Sequence, residues 1–257
     1  MTTAALDVVA SVGTTSWPGR LTSDDIATMF RNEMGDRVAP YLWTDSEVYP
    51  FIDEAQSQFC RKTDGISDAR TPAVTQIAVM PGIEWYATHP RILNVRKVTR
   101  GDTGVTVPML NAEETETRSL VFLPTLTSPV KALVLGFEPH VARIYPMPNE
   151  TVTLNLQVYR LPLVTITDIG GQPLEIDGHH FPGLVLWMKA RAYDKQDTET
   201  FDRAKADDYY ARFEAYCAKA KQEQGRARRV QGNVAYGGIP IVGRSSDVAP
   251  NDYYRRF

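Results

Sequence analysis

The residues able to do chemistry in this 257-residue chain are few and scattered. The four histidines come first, because imidazole is the commonest metal ligand and titrates near neutral pH. His89 precedes a proline, His140 stands where an extended run begins, and His179 and His180 are neighbours. Neighbours on a helix diverge by about 100 degrees, so His179 and His180 are badly placed to share one metal. Asp177-Gly178-His179-His180 offers part of a ligand set with no fourth ligand in sight, and it reads as the polar start of a helix. No G-x-S-x-G, H-E-x-x-H, P-loop or G-x-G-x-x-G pattern occurs. Glu113-Glu114-Thr115-Glu116 reads as a solvated acidic loop, since a carboxylate dyad needs a second group brought beside it. Asn149-Glu150-Thr151 matches a glycosylation sequon, but nothing else suggests secretion. Cys60 and Cys217 lie far apart, outside any C-x-x-C spacing, as expected of reduced thiols. The expectation is no catalytic residue, no metal and no cofactor.

Arginine offers a different chemistry. From Arg226 to Phe257 six arginines face only Asp247 and Asp252, a local charge of +4, so the overall −3 leaves −7 on the rest. A basic tail on an acidic body suits an acidic partner surface, protein or nucleic acid. Groove-reading motifs and an aromatic stacking platform are absent, which argues against sequence-specific nucleic-acid binding. The same tail carries Val230, Val234, Tyr236, Ile239, Ile241, Val248, Tyr253, Tyr254 and Phe257, too many apolar side chains for a solvating linker. It reads as a segment that orders on binding.

The elements around these residues follow two periods. Thr22 and Asp25 open a short helix with Ile26, Met29 and Phe30 on one side, closed by Gly35. Thr44 and Glu47 form a capping box for a longer helix with a stripe of Val48, Phe51, Ile52, Ala55 and Phe59. Pro50 at its sixth position predicts a kink or a delayed start. Trp43, just before the cap, is placed to staple against Val48 or a neighbouring helix. From Pro72 to Tyr159 the period falls to two, with roughly eight strands: Val74–Met80, Ile92–Val98 before the Gly101–Gly104 turn, Val130–Leu135, Val141–Tyr145 and Thr151–Tyr159 among them. Prolines at the strand ends favour an antiparallel sheet or small sandwich. Helix returns at His180-Phe181-Pro182, breaks over Asp194–Asp197, and resumes after a cap at Asp197 or Thr198 for about 26 residues. Its predicted stripe is Phe201, Ala204, Tyr209, Phe213, Tyr216, Cys217 and Ala220, and Gly225 is its predicted end.

This pattern is an α+β chain: a discontinuous helical bundle (20–71 with 170–226) interrupted by an antiparallel β insertion (72–169). An N-terminal arm (1–19) and an extended C-terminal arm (227–257) flank it. Helices 44–62 and 199–224 are expected to pack together and bury Phe59 and Phe213. Hydrophobic content of 43% and charged content of 23% are ordinary for a soluble globular protein. No apolar run approaches the ~20 residues of a membrane span, and the N-terminus lacks a signal peptide's basic region.

Several stretches in this order resemble the head-to-tail adaptor (connector) proteins of tailed bacteriophages, including tail tubular adaptors. They are Trp43-Thr44-Asp45 with Asp53-Glu54-Ala55-Gln56, Ile144-Tyr145-Pro146-Met147-Pro148 followed by Thr151-Val152-Thr153-Leu154, Tyr159-Arg160-Leu161-Pro162-Leu163, His179-His180, and the long last helix with Phe213. The resemblance covers about residues 40–225, and Pro50 departs from it. It implies a structural virion protein of the neck, assembled in the host cytoplasm. Such a protein forms a ring, of twelve copies like the portal, and binds the portal protein and a tail or nozzle protein. Packaged DNA passes nearby, and neither a membrane nor a cofactor is involved. Portal binding falls to the C-terminal arm, through Arg228, Arg229, Val234, Tyr236, Ile239, Ile241, Arg244, Tyr253, Tyr254, Arg255, Arg256 and Phe257. The alternative is a carbohydrate- or surface-binding β module of a tail protein, with Trp85-Tyr86 as its platform.

Overall fold

The computed structural model describes residues 22–117, 127–167, 170–196 and 200–228. It is α+β, with helices at both ends of the described chain and sheets between.

Helix α1 (Ser23–Met34) starts where Asp25 accepts the Thr22 N–H at 2.7 Å, and it stops at Gly35 in the left-handed region (φ 76). Helix α2 (Asp45–Lys62) starts at Thr44, whose N–H reaches Glu47 at 3.0 Å. Pro50 therefore neither delays nor ends α2. It removes the bond to the Ser46 carbonyl and crowds that carbonyl, but both residues are exposed, so water can take the freed acceptor. Trp43 is buried edge-on against Phe30, with ring centroids 5.7 Å apart, so its staple partner is the neighbouring helix.

A 3₁₀ turn (Gly178–His180) leads into α5 (Phe181–Asp194), and α6 (Arg203–Arg228) completes the helical layer. Helix α5 is the central one: Phe181, Leu184, Val185, Met188 and Ala192 are buried, and α1, α2 and α6 all pack on it. Gly183 permits the closest approach, since a β-carbon there would lie 2.2 Å from the Tyr216 ring. Phe59 and Phe213 both join the core shared by these four helices, although α6 leans chiefly on α5 rather than α2.

Helix α6 departs from its sequence reading at both ends. Its first turn is capped by Asp202, which accepts the Lys205 N–H at 3.1 Å, while positions 197–199 lie outside the described residues. Phe201, read as core, thus precedes the helix and is half exposed; Ala204 is exposed too. Gly225 lies inside the helix, without a left-handed φ. One glycine costs a helix only about 1 kcal/mol, too little to end a helix already packed along its length.

Between the helices, strand β1 (Ile66–Asp68), helical turn α3 (Pro72–Thr75) and strand β2 (Gln76–Val79) line one side of β11 (Val152–Arg160). Strand β4 (Ile92–Arg100) pairs antiparallel along the other side of β11, and β5 (Thr106–Val107) pairs with β4. Val74 and Thr75, expected in a strand, belong to α3, because Pro72 fits a first helical position. The second sheet has the order β3 (Trp85–Ala87), β9 (Val141–Tyr145), β8 (Ala132–Leu135), β6 (Met109–Asn111). Side chains of both sheets meet in one buried cluster: Val98, Leu154 and Leu156 from the first, Leu133, Ala142 and Ile144 from the second. This is a sandwich arrangement, but not a purely antiparallel one. β6 runs parallel to β8, and β7 (Thr127–Ser128) parallel to β10 (Met147–Pro148). The acidic stretch at 113–116 is helix α4 (Ala112–Thr117) rather than a loop, and it contacts β6 and β8.

Candidate functional site

The histidine neighbourhood is the natural place to look for chemistry. His180 is buried against Phe59 at 4.7 Å between ring centroids, and its Nδ1 lies 3.2 Å from the Tyr216 hydroxyl. Burial, with His179 beside it, lowers the His180 pKa, so the ring sits neutral in the packing. A recess of about 320 Å³ opens beside it, with Gly65, Glu175, Asp177 and Gln224 in its lining. Among the described residues no three His, Cys, Asp or Glu side chains gather as a metal site. Cys60 and Cys217 are both buried, and burial pushes their thiols up to about 12. Such thiols are poor nucleophiles. This corner of the molecule is core packing around a helix start.

Among the described residues the most buried ion cluster lies where the chain passes between helices and sheets. Arg160, at the end of β11, donates from Nε to Asp68 at 2.6 Å, and from Nη1 to Glu175 at 2.6 Å and to the Leu161 carbonyl at 3.1 Å. Asp68 also accepts the Arg70 and Thr71 N–H groups at 2.8 and 3.1 Å, while Glu175 accepts those of Leu163 and Val164. Burial favours the neutral Asp68 acid, but the hydrogen bonds from Arg70, Arg160 and Thr71 outweigh it and hold its pKa at about 2. With every carboxylate oxygen satisfied, the triad ties together β1, the end of β11 and the return to helix. Its role is to fix those three segments.

What remains for function is surface. One feature is the loop from Asp36 to Thr44, where Val38, Tyr41 and Leu42 are exposed. Arg31 closes that loop from beneath, donating to Asp36 (3.1 Å), Asp45 (2.6 Å) and the Trp43 carbonyl (2.9 Å), with its guanidinium 3.8 Å from the Tyr41 ring centroid. The other is the tip of the sandwich, where Met80, Ile83, Trp85 and Phe137 are exposed. Trp85 and Tyr86 do not form a common platform. They are successive strand residues and face opposite ways, Tyr86 toward the sandwich core with its hydroxyl 2.8 Å from the Met80 N–H. The Arg143 guanidinium lies over the Trp85 ring at 4.7 Å, held there by Glu84 at 2.7 Å. The guanidinium thus occupies one face of the indole.

Of the twelve arm residues expected to bind a partner, only Arg228 falls among the described residues, in the last turn of α6. Arg229, Val234, Tyr236, Ile239, Ile241, Arg244, Tyr253, Tyr254, Arg255, Arg256 and Phe257 lie outside them. Sequence reasoning missed the Arg160 triad and the exposed loop at 36–44, and it read Trp85-Tyr86 as a platform rather than an edge strand. The run Val38-Ala39-Pro40-Tyr41-Leu42, five apolar residues in a predicted turn, was the one available signal for an exposed loop. The others depend on pairings across dozens of residues.

A family model described as SU10 adaptor protein matches residues 21–235, from just before α1 to beyond α6 and well over half of the chain. No curated protein matches the chain.

Proposed function

The chain belongs to the SU10 adaptor protein family, a family of phage head-to-tail adaptors, and from that premise we propose that it forms a twelve-copy ring between the portal and the tail. At the coarser level it is a structural protein of the virion neck that associates with other virion components, and the family is not an enzyme family. Among the described residues no helix is long and apolar enough to cross a membrane. The observation that carries the proposal is the single uninterrupted match spanning helices, sandwich and the residues just past α6.

In this reading the unit 20–71 with 170–226 builds the ring wall and the insertion 72–169 projects from it. The four-helix core supports the reading: it is apolar, closely packed and stapled by surface ion pairs such as Lys62–Glu214 at 2.7 Å. Helix α6 is about 40 Å long at 1.5 Å per residue and runs on past its last core residue, Ala220. Residues 229–257, fully extended, would reach on the order of 100 Å. We assign them to the portal: Tyr236, Tyr253, Tyr254 and Phe257 fill pockets, while Arg229, Arg244, Arg255 and Arg256 pair with portal carboxylates. DNA passes through the ring without being read. The test is deletion of residues 229–257, which leaves α6 whole. The shortened protein is expected to stay folded and soluble yet fail to attach to portal rings by negative-stain microscopy. Full occupancy on portals by the shortened protein would remove the arm from the docking role.

A further inference from the structure

The sandwich tip exposes the edge of a sheet. Among the described residues strand β3 ends its sheet and pairs only with β9, Trp85 opposite Arg143, Tyr86 opposite Ala142 and Ala87 opposite Val141. The Ile144 N–H bonds the Glu84 carbonyl and the Thr88 N–H bonds the His140 carbonyl. In an antiparallel ladder that parity makes Tyr86–Ala142 a hydrogen-bonded pair and turns the N–H and C=O of Trp85 and Ala87 outward. Among the described residues nothing bonds those four groups. Natural edge strands are usually blunted with charge or proline. β3 is short, three residues, and carries no charge or proline of its own; it presents an indole, braced by Phe137 at 5.6 Å and by the Arg143 guanidinium.

Beside the edge lies a recess of about 400 Å³ lined by Trp85, Tyr86, Ala87, Glu138 and Val141. The Glu138 carboxylate is exposed and has no cationic partner among the described residues. Free backbone groups in strand register, a recess for one side chain and an unpaired carboxylate together fit strand addition: main-chain bonds give affinity, and the recess and charge give selection. We propose that β3 docks an extended segment of another protein, apolar at alternate positions and carrying a lysine or arginine that reaches Glu138. A second copy joined through its sheet is a poor occupant. Joining two copies β3 to β3 would bring a second Glu138 to the site and, from the recess lining, no cation for either.

The experiment uses the full-length protein and a blocked Thr-Val-Lys-Val-Thr peptide, followed by backbone amide NMR. The peptide is expected to shift the Trp85 and Ala87 amides, and a peptide with Glu in place of Lys is expected to bind up to about fivefold more weakly, the range of one exposed charge pair. Ala87→Pro removes one outward N–H and no internal bond, so it is expected to abolish binding while leaving the remaining spectrum in place. Glu138→Lys, an exposed change that leaves the fold alone, is expected to reverse the charge preference. Equal binding by Ala87→Pro, shifts centred away from β3, no charge preference, or no binding at millimolar peptide would each overturn the proposal. None of those results bears on the deletion of residues 229–257, so the two readings stand or fall separately.

Discussion

Replacing Arg160 by Met is the sharpest test of how this fold is held together. The side chains of Arg160, Asp68 and Glu175 are 8%, 7% and 14% exposed, so the triad is effectively desolvated. Removing the guanidinium leaves two buried carboxylates without their cation. Breaking a buried ion pair from one side costs about 3–5 kcal/mol. Replacing all three, Arg160→Met with Asp68→Asn and Glu175→Gln, removes the stranded charges and keeps carbonyl acceptors for the N–H groups of Arg70, Thr71 and Leu163. That variant is expected to recover most of the loss. Acid sharpens the test. Asp68 titrates at about 2 in the fold against an ordinary 3.8. Its folded pKa is depressed, so its contribution of about 2 kcal/mol is present above pH 4 and lost as pH falls toward 2. In Arg160→Met this acid-sensitive part should shrink without vanishing, because the bonds from Arg70 and Thr71 survive. Urea titrations followed by far-UV dichroism and tryptophan fluorescence, at pH 7 and between pH 2.5 and 5, measure both effects. A loss below 1 kcal/mol at pH 7, or a triple variant no better than the single one, would refute the reasoning.

Gly183→Ala should lower stability by about 1–3 kcal/mol, because the new methyl must displace the Tyr216 ring between α5 and α6; an unchanged urea midpoint would mean the helices sit farther apart. Cys60 and Cys217, both buried with thiols near 12, should resist a thiol-reactive dye at pH 8 in the native protein and both react in denaturant. Rapid labelling of either cysteine in the native state would contradict their burial.

Local rules made the helices legible. Thr22 with Asp25 and Thr44 with Glu47 fixed two starts, and Gly35 one end, because capping joins groups three or four residues apart. The alternation in 151–159 marked one of the two longest strands, because its two faces meet different surroundings. The family resemblance was likewise carried by short stretches in a fixed order. Local rules failed where a competing local energy was small beside packing. Gly225 costs its helix little, and the larger cost of Pro50, about 3 kcal/mol, is outweighed by the burial of Val48, Ile52, Ala55 and Phe59 around it, so both helices run on. Phe201 is apolar and in phase, yet it falls outside α6 because Asp202 supplies the cap.

The parallel pairing of β6 with β8, the centrality of α5 and the Arg160 triad were beyond the sequence, since each joins residues that only the folded chain brings together. The tip of the sandwich is the clearest case. Trp85 was visible as an aromatic, but whether it would stack on a sugar, pack in the core or stand at an open edge depended on Arg143, 58 positions along the chain. Sequence sets which groups a protein has and how its near neighbours arrange them. Which strand is left unpaired, and what lies beside it, is decided only when distant strands compete for partners.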